Sequence, residues 1–185
     1  VIPKLNLGCG NSIMPGYVNA DLARLVGVDW SFDMDVIPWV PRFPVPPFSG
    51  GSICPFHDGQ ICLPIPDDYF DEVQAIHVLE HSRDLIRVVG ELWRVTKHGA
   101  LVHVEAPHFQ KTALDVWGDP THRSPMGPAT FRYWYPGMPL YAHEVAALSP
   151  ARFIILAENH SDYYLSWDLA VYKQDDPALL ARHRS

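Results

Sequence analysis

The sequence predicts a doubly wound α/β domain, with a mostly parallel sheet, an antiparallel edge strand and shortened helices in its N-terminal half. Three observations predict it. The stretch "KLNLGCGN", Lys4 to Asn11, is an apolar alternation that runs into two glycines around a cysteine. A strand, helix, strand pattern occupies Asp71 to Pro107, and such a crossover joins parallel strands. Two later apolar runs, "RFIILA" and "SWDLAVYK", follow each other too closely for a crossover, so they pair antiparallel at one edge.

Taken in order, Leu5-Asn6-Leu7 is the first strand. "GYVNADL" (Gly16 to Leu22) supplies the second and "VDWSFDMD" (Val28 to Asp35) the third. The connections between them are too short for crossover helices, so loops or single turns must take their place. A Pro-rich insertion, residues 40–62, follows; it is read as a cover near the ligand mouth or as packing beneath the sheet. "DEVQAIHVL" (Asp71 to Leu79) is a largely apolar run, the mark of a strand buried on both faces. Ser82 then caps a helix with Asp84 in its first turn. Leu85, Val88, Val89 and Leu92 repeat at the spacing of one helical face, and Lys97, His98 and Gly99 end it. "ALVHVEAP" (Ala100 to Pro107) is the fifth strand. A Pro- and aromatic-rich segment, 107–141, separates it from the edge pair. Residues 1–173 make a single domain, and 174–185 form a tail, frayed or ending in one helical turn.

Hydrophobic residues at 48% and charged residues at 19% are those of a folded globular chain. The net charge of -7, with no Lys/Arg run, disfavours binding built on phosphate neutralisation, so no nucleic-acid partner is expected. No apolar stretch is long enough to span a bilayer and no leader precedes Leu5, so no membrane partner is expected. Three cysteines, an odd count, suit a reducing cytoplasm better than a disulfide framework. Cys54, His57 and Cys62, even with His77 or His81 added, match no common zinc spacing, so no metal is expected. The residues set no oligomeric state. Proline is abundant, at 18 residues against a usual ~5%, and concentrates in the two irregular segments where long helices cannot form.

In an open parallel sheet, ligands bind beyond the carboxyl ends of the strands, near the point where strand order reverses. Gly8-Cys9-Gly10 lies there. Glycines at that place allow a sharp turn, or a close approach of ligand to backbone. A dinucleotide fingerprint needs a third glycine where this chain has Ile13, which disfavours a nicotinamide-dependent oxidoreductase.

"LNLGCG", "GYVNADL", "VDWSFDMD", "LPIPDDYFDEV" and "HVLEH", in that order, resemble the class I S-adenosylmethionine-dependent methyltransferases of the methyltransferase type 11 group. The resemblance covers Lys4 to Pro107, and "GDPTHR" (Gly118 to Arg123) resembles a downstream segment of some members. It implies a Rossmann-like fold and S-adenosyl-L-methionine as cofactor. It also implies a site: Leu7, Gly8, Cys9 and Gly10 around the methionine part, and Asp21 on the ribose hydroxyls beside Leu22. Asp33 would face the adenine amino group with Met34 beside the ring, and Asp58 competes with Asp33 for that role. His77 and Val78 would follow the fourth strand near the sulfonium.

Methyl transfer from a sulfonium is an in-line displacement, so alignment and water exclusion are the protein's main tasks. A base helps if the acceptor is a hydroxyl or amine, and His81, His108 and His122 are the candidates. His103 and His160 read as bystanders, and Glu80 as a residue bonding backbone amides at the helix start. The Asn/Asp-Pro-Pro-aromatic motif of members acting on nucleobases is missing at "HVLEH". The expected acceptor is therefore a small molecule or glycan-like. Trp117, Phe131, Tyr133, Trp134, Tyr135 and Tyr141 either stack on that acceptor or fill the core. The alternative reading is a non-catalytic cofactor-binding module of the same fold.

Overall fold

The computed structural model describes residues 3–41, 63–110, 113–137 and 142–182. Seven strands form one sheet in the order β3-β2-β1-β4-β5-β7-β6. They are β1 (Lys4–Leu7), β2 (Val18–Asp21), β3 (Trp30–Ser31), β4 (Phe70–Ile76), β5 (Thr96–Pro107), β6 (Phe153–His160) and β7 (Tyr164–Val171). The first five pair in parallel, with Leu5 opposite both Val18 and Val73. β7 runs antiparallel between β5 and β6, so the antiparallel element at the edge is a hairpin whose second strand lies inside its first.

The order reverses at β1, which has β2 on one side and β4 on the other. That reversal opens the crevice beyond Leu7 and Ile76.

No helix joins β1 to β2 or β2 to β3. A buried amide network holds the first loop instead. Asn6 Nδ2 donates to Asn19 Oδ1 at 2.9 Å and to the Ser12 carbonyl at 2.8 Å. Asn19 Oδ1 also accepts from the Met14 amide at 2.8 Å, and the Asn19 amide donates to Asp29 Oδ2 at 2.8 Å. These bonds satisfy backbone groups that a crossover helix would have paired internally.

The helix α1 (Leu85–Val95) buries Val88, Val89, Leu92 and Val95. Each such burial is worth about 1.5–3 kcal/mol, which outweighs the cost of starting an 11-residue helix. Its cap is Asp84, whose side chain accepts from the Arg87 amide at 3.1 Å. Ser82, the expected cap, instead donates from Oγ to the Leu79 carbonyl at 2.8 Å. At the other end the chain passes directly into β5 at Thr96, earlier than the expected stop. Gly99, at φ 75°, bends that strand where the β4–β5 register shifts between Phe70 and Glu72.

The segment 107–141 contains α2 (Ala113–Gly118) and a 3-10 turn (Thr130–Trp134). Phe131 and Trp134 are buried in the main core, with Phe131 5.1 Å from the Trp167 ring. Trp117 and Tyr133 stay exposed. Phe131 and Trp134 thus fill the core, whereas Trp117 and Tyr133 are not among the residues lining the cavity described below, and Tyr141 falls outside the described residues. α3 (Ala142–Leu148) precedes the hairpin. The tail is docked: α4 (Pro177–Leu180) is capped by Asp176 and buries Leu179. Residues 42–62, hence most of the Pro-rich insertion together with Cys54, His57, Asp58 and Cys62, lie outside the described residues.

Candidate functional site

A cavity of about 400 Å³ opens beyond the carboxyl ends of β1, β2 and β3. Leu7, Gly8, Asp21 and Leu22 form one wall and Phe32, Asp33, Met34 and Asp35 another. His81, Arg83, Thr121 and Arg123 close the third side.

The turn after β1 is built around two left-handed glycines, Gly8 at φ 66° and Gly10 at φ 49°. A side chain on Gly8 would run into the Val78 side chain, so the space it leaves is filled by protein. At Gly10 the surroundings are open. The Gly10 amide donates to Asp21 Oδ2 at 2.8 Å, and the Ala23 amide donates to Asp21 Oδ1 at 2.8 Å. Each oxygen of this carboxylate is therefore aimed by one backbone donor and keeps a lone pair for a second. The Cys9 amide donates to the Ala20 carbonyl at 3.0 Å, its Sγ donates to the Gly10 carbonyl at 3.7 Å, and burial pushes the thiol up to about 11.

The second wall is apolar at its base. Phe32 stacks on Trp39 with centroids 5.3 Å apart, and the Trp39 indole donates to the Met34 carbonyl. Asp33 Oδ1 accepts from the Asp35 amide at 3.0 Å, which makes a tight turn of Asp33 to Asp35. Asp35 Oδ1 in turn accepts from the Arg83 amide at 2.9 Å, tying this wall to the chain after β4.

After β4 the backbone kinks at His77, a non-glycine residue at φ 50°. Its ring lies between Glu80, 3.6 Å from Nδ1, and Glu105, 3.3 Å from Nε2. The Glu80 carboxylate first, and Glu105 after it, hold the imidazolium above the usual histidine range against the opposing effect of burial. His77 thus faces carboxylates and is not among the cavity-lining residues. The 3-10 turn Leu79–His81 follows and is stapled to a distant loop. The Glu80 carbonyl accepts from the amides of Arg123 and Ser124 at 2.8 and 2.9 Å, and Ser124 Oγ donates to the Ser82 carbonyl at 2.9 Å. This staple places Thr121 and Arg123 on the cavity wall beside His81.

Of the residues expected from the sequence, Leu7, Gly8, Asp21, Leu22, Asp33, Met34 and His81 line the cavity. Cys9, Gly10, His77 and Val78 are not among the lining residues. His108 is buried at 3% exposure, away from the lining, so it does not project to the rim as expected. His122 lies one step back, its ring 4.8 Å from that of His81. Glu80 bonds amides through its backbone carbonyl, whereas its side chain was expected to do so. Phe32, Asp35, Arg83, Thr121 and Arg123 were not singled out from the sequence. Thr121 and Arg123 sit inside "GDPTHR", the one motif that signalled them; Arg83 and Asp35 carry no local signal.

The sequence profile of the family described as "Methyltransferase domain" matches residues 5–104, more than half of the chain. No curated protein matches by sequence. Among solved structures, the chain is similar to a methyltransferase from Haloferax volcanii, solved in complex with its Trm112 activator. The TM-score is 0.55 at 10% identity, covering 93% of this chain and 83% of that one. A Listeria monocytogenes protein, titled a S-adenosylmethionine-dependent methyltransferase, gives 0.55 at 10% identity, with 93% and 92% covered. The YcgJ protein of Bacillus subtilis gives 0.53 at 11% identity, with 94% and 93% covered. At these identities the likeness is one of fold.

Proposed function

The chain belongs to this methyltransferase family, whose cofactor is S-adenosylmethionine, and from that premise we propose that it transfers a methyl group to a small-molecule or glycan-like acceptor. The observation that carries the reading is Asp21. Its two oxygens are fixed by the Gly10 and Ala23 amides at the lip of the cavity, an arrangement suited to a vicinal diol that offers two hydroxyl donors. The residues fit the cofactor in other respects too. The cavity volume is within the range of small-molecule sites, and Leu22, Phe32 and Met34 present apolar surface for a flat base. Asp33 stands beside them to accept from an amino group.

The cofactor supplies an electrophilic methyl group on a sulfonium. The chain's own residues bind, orient and exclude water. Asp21 sets the ribose, the turn at Gly8 brings backbone close, and the staple between Glu80 and the 121–124 loop fixes the wall that faces the acceptor. Of the three histidines considered for the chemistry, His81 lines the cavity, which supports giving it the place beside the acceptor. The odd count of three cysteines supports placing the reaction in a reducing cytoplasm. No helix among the described residues is long and apolar enough to cross a membrane.

A second reading, a non-catalytic cofactor-binding module, draws support from the loops that replace helices between β1, β2 and β3. Calorimetric titration with S-adenosylmethionine and its demethylated product tests the cofactor site. Label transfer from methyl-labelled cofactor to a panel of small hydroxylated, amino and glycan acceptors tests the activity. Binding with no transfer to any acceptor class favours the module; no binding of either compound removes both readings.

A further inference from the structure

The turn after β4 and the loop after α2 bring together Glu80, His81 and His122, each offering one donor atom, all within 4.8 Å of one another. We propose that these three residues bind a divalent cation of the zinc class at the wall of the cofactor cavity. Two neutral imidazoles and one carboxylate are a donor set that zinc accepts while keeping a coordination position open.

The partners at Nδ1 select the tautomer such an ion requires. The Thr121 hydroxyl gives its hydrogen to Asp119 Oδ1 at 2.6 Å, so toward His81 Nδ1, 3.0 Å away, it acts as acceptor. His122 Nδ1 lies 2.8 Å from the Val116 carbonyl, which can only accept. Each neutral ring therefore carries its hydrogen on Nδ1 and presents the Nε2 lone pair. Metal-bound histidines are oriented in this way, by a partner on the far nitrogen. The Asp119 Oδ1 accepts from both the amide and the hydroxyl of Thr121, and its Oδ2 lies 3.7 Å from His122 Nε2. It adds negative charge beside the site.

An independent observation points to a missing ligand. Glu80 is 2% exposed, and its Oε2 has no hydrogen-bond partner among the described residues. Its other oxygen faces His77 Nδ1 at 3.6 Å, beyond hydrogen-bond length. A buried carboxylate oxygen without a partner is costly, and a cation beside it removes the cost. The frame is rigid, because the Glu80 carbonyl holds the amides of Arg123 and Ser124. Zinc ligands at about 2.0–2.2 Å from the ion stand roughly 3–3.5 Å apart, so the three donors close in by small side-chain rotations. The site assigns His81 the role of a ligand in place of a free base, and it stands on its own geometry, independent of methyl transfer.

The test is titration of the metal-depleted full chain with Zn²⁺ against a competing chelator. Titration with the demethylated cofactor product runs in parallel, so that loss of the cofactor site is read separately. One ion per chain is expected, with Glu80→Gln and His122→Asn each weakening Zn²⁺ binding by about 100-fold or more. Thr121→Val, at an exposed position whose hydroxyl bonds His81 Nδ1 and Asp119, should weaken it by about 10–100-fold. His160→Asn, an exposed histidine on β6, should change nothing. Should a buried variant fail to fold, Thr121→Val decides. Equal Zn²⁺ affinity for the wild type and the His81→Asn/His122→Asn double variant, or for the wild type and Thr121→Val, overturns the proposal.

Discussion

Val78 occupies the space where a side chain on Gly8 would stand, and so locks the turn after β1 to the turn after β4. The two turns flank the reversal point of the sheet. Gly8→Ala should therefore destabilise the fold twice over. The left-handed φ of 66° alone costs about 1–2 kcal/mol for a residue with a Cβ. The collision with Val78 adds to it. The Val78 Cβ itself would stand 2.5 Å from the new one, so Gly8→Ala/Val78→Gly, which removes it, should recover the collision part, read as a coupling energy of about 0.5–3 kcal/mol in denaturant unfolding. Strict additivity would show that the two residues do not press on each other.

Asp21 has a different signature. Asp21→Ala removes a carboxylate that hydrogen-bonds two ribose hydroxyls in the proposed site, and each bond to a charged group is worth about 1.5–3 kcal/mol. Affinity for S-adenosylmethionine should fall by at least about 10-fold, with the chain still folded by circular dichroism. Unchanged affinity in a folded variant would place the ribose elsewhere.

Glu91 ties α1 to the chain after β3. Its Oε1 accepts from the Trp39 amide at 2.7 Å and from Arg94 at 2.6 Å, and its Oε2 accepts from Arg94 Nε at 2.8 Å. The Glu91 pair, and Asp67 after it, raise the Arg94 pKa above the usual guanidinium value. Glu91→Ala should cost about 3 kcal/mol, at the low end for a broken buried pair because Arg94 keeps Asp67. A loss under about 1 kcal/mol in urea unfolding would mean the pair contributes specificity and little stability.

Asp176 gives a pH signature at the other end of the chain. The Leu179 amide at the start of α4, and then His98, hold its carboxyl below the usual value. A depressed folded-state pKa contributes stability that is present above the unfolded value of about 3.9 and lost as pH falls through the folded one. The gap in melting temperature between wild type and Asp176→Asn, followed from pH 6 downward, should hold to about pH 4 and then close. A gap independent of pH across that window would show that the cap works without its charge.

The fold was legible in the sequence because it rests on short-range patterns. The apolar run into Gly8-Cys9-Gly10, the crossover from Asp71 to Pro107 and the closely spaced final strands each constrain their own neighbourhood, and the right-handed crossover rule assembles them. Asp21 and Asp33 came from the resemblance of "GYVNADL" and "VDWSFDMD" to the family, and both stand on the cavity wall, where strand ends meet at the switch point of such a sheet. Other features were decided by contacts between segments far apart in the chain. Nothing near Ser82 shows that its hydroxyl turns back to Leu79 and leaves the capping to Asp84. Nothing near Gly8 shows that Val78 fills its side-chain space, and the apolar character of Phe131 is equally compatible with a core or a ligand face until Trp167 is beside it. The pairing of His81 with His122 is the plainest case. It depends on the Glu80 carbonyl capturing two amides of the 121–124 loop, and a backbone hydrogen bond leaves no mark in the residue types that make it. Sequence alone therefore determined which elements form and where the crevice lies, whereas which side chains face one another across it was set by tertiary hydrogen bonds and by packing that only the folded chain contains.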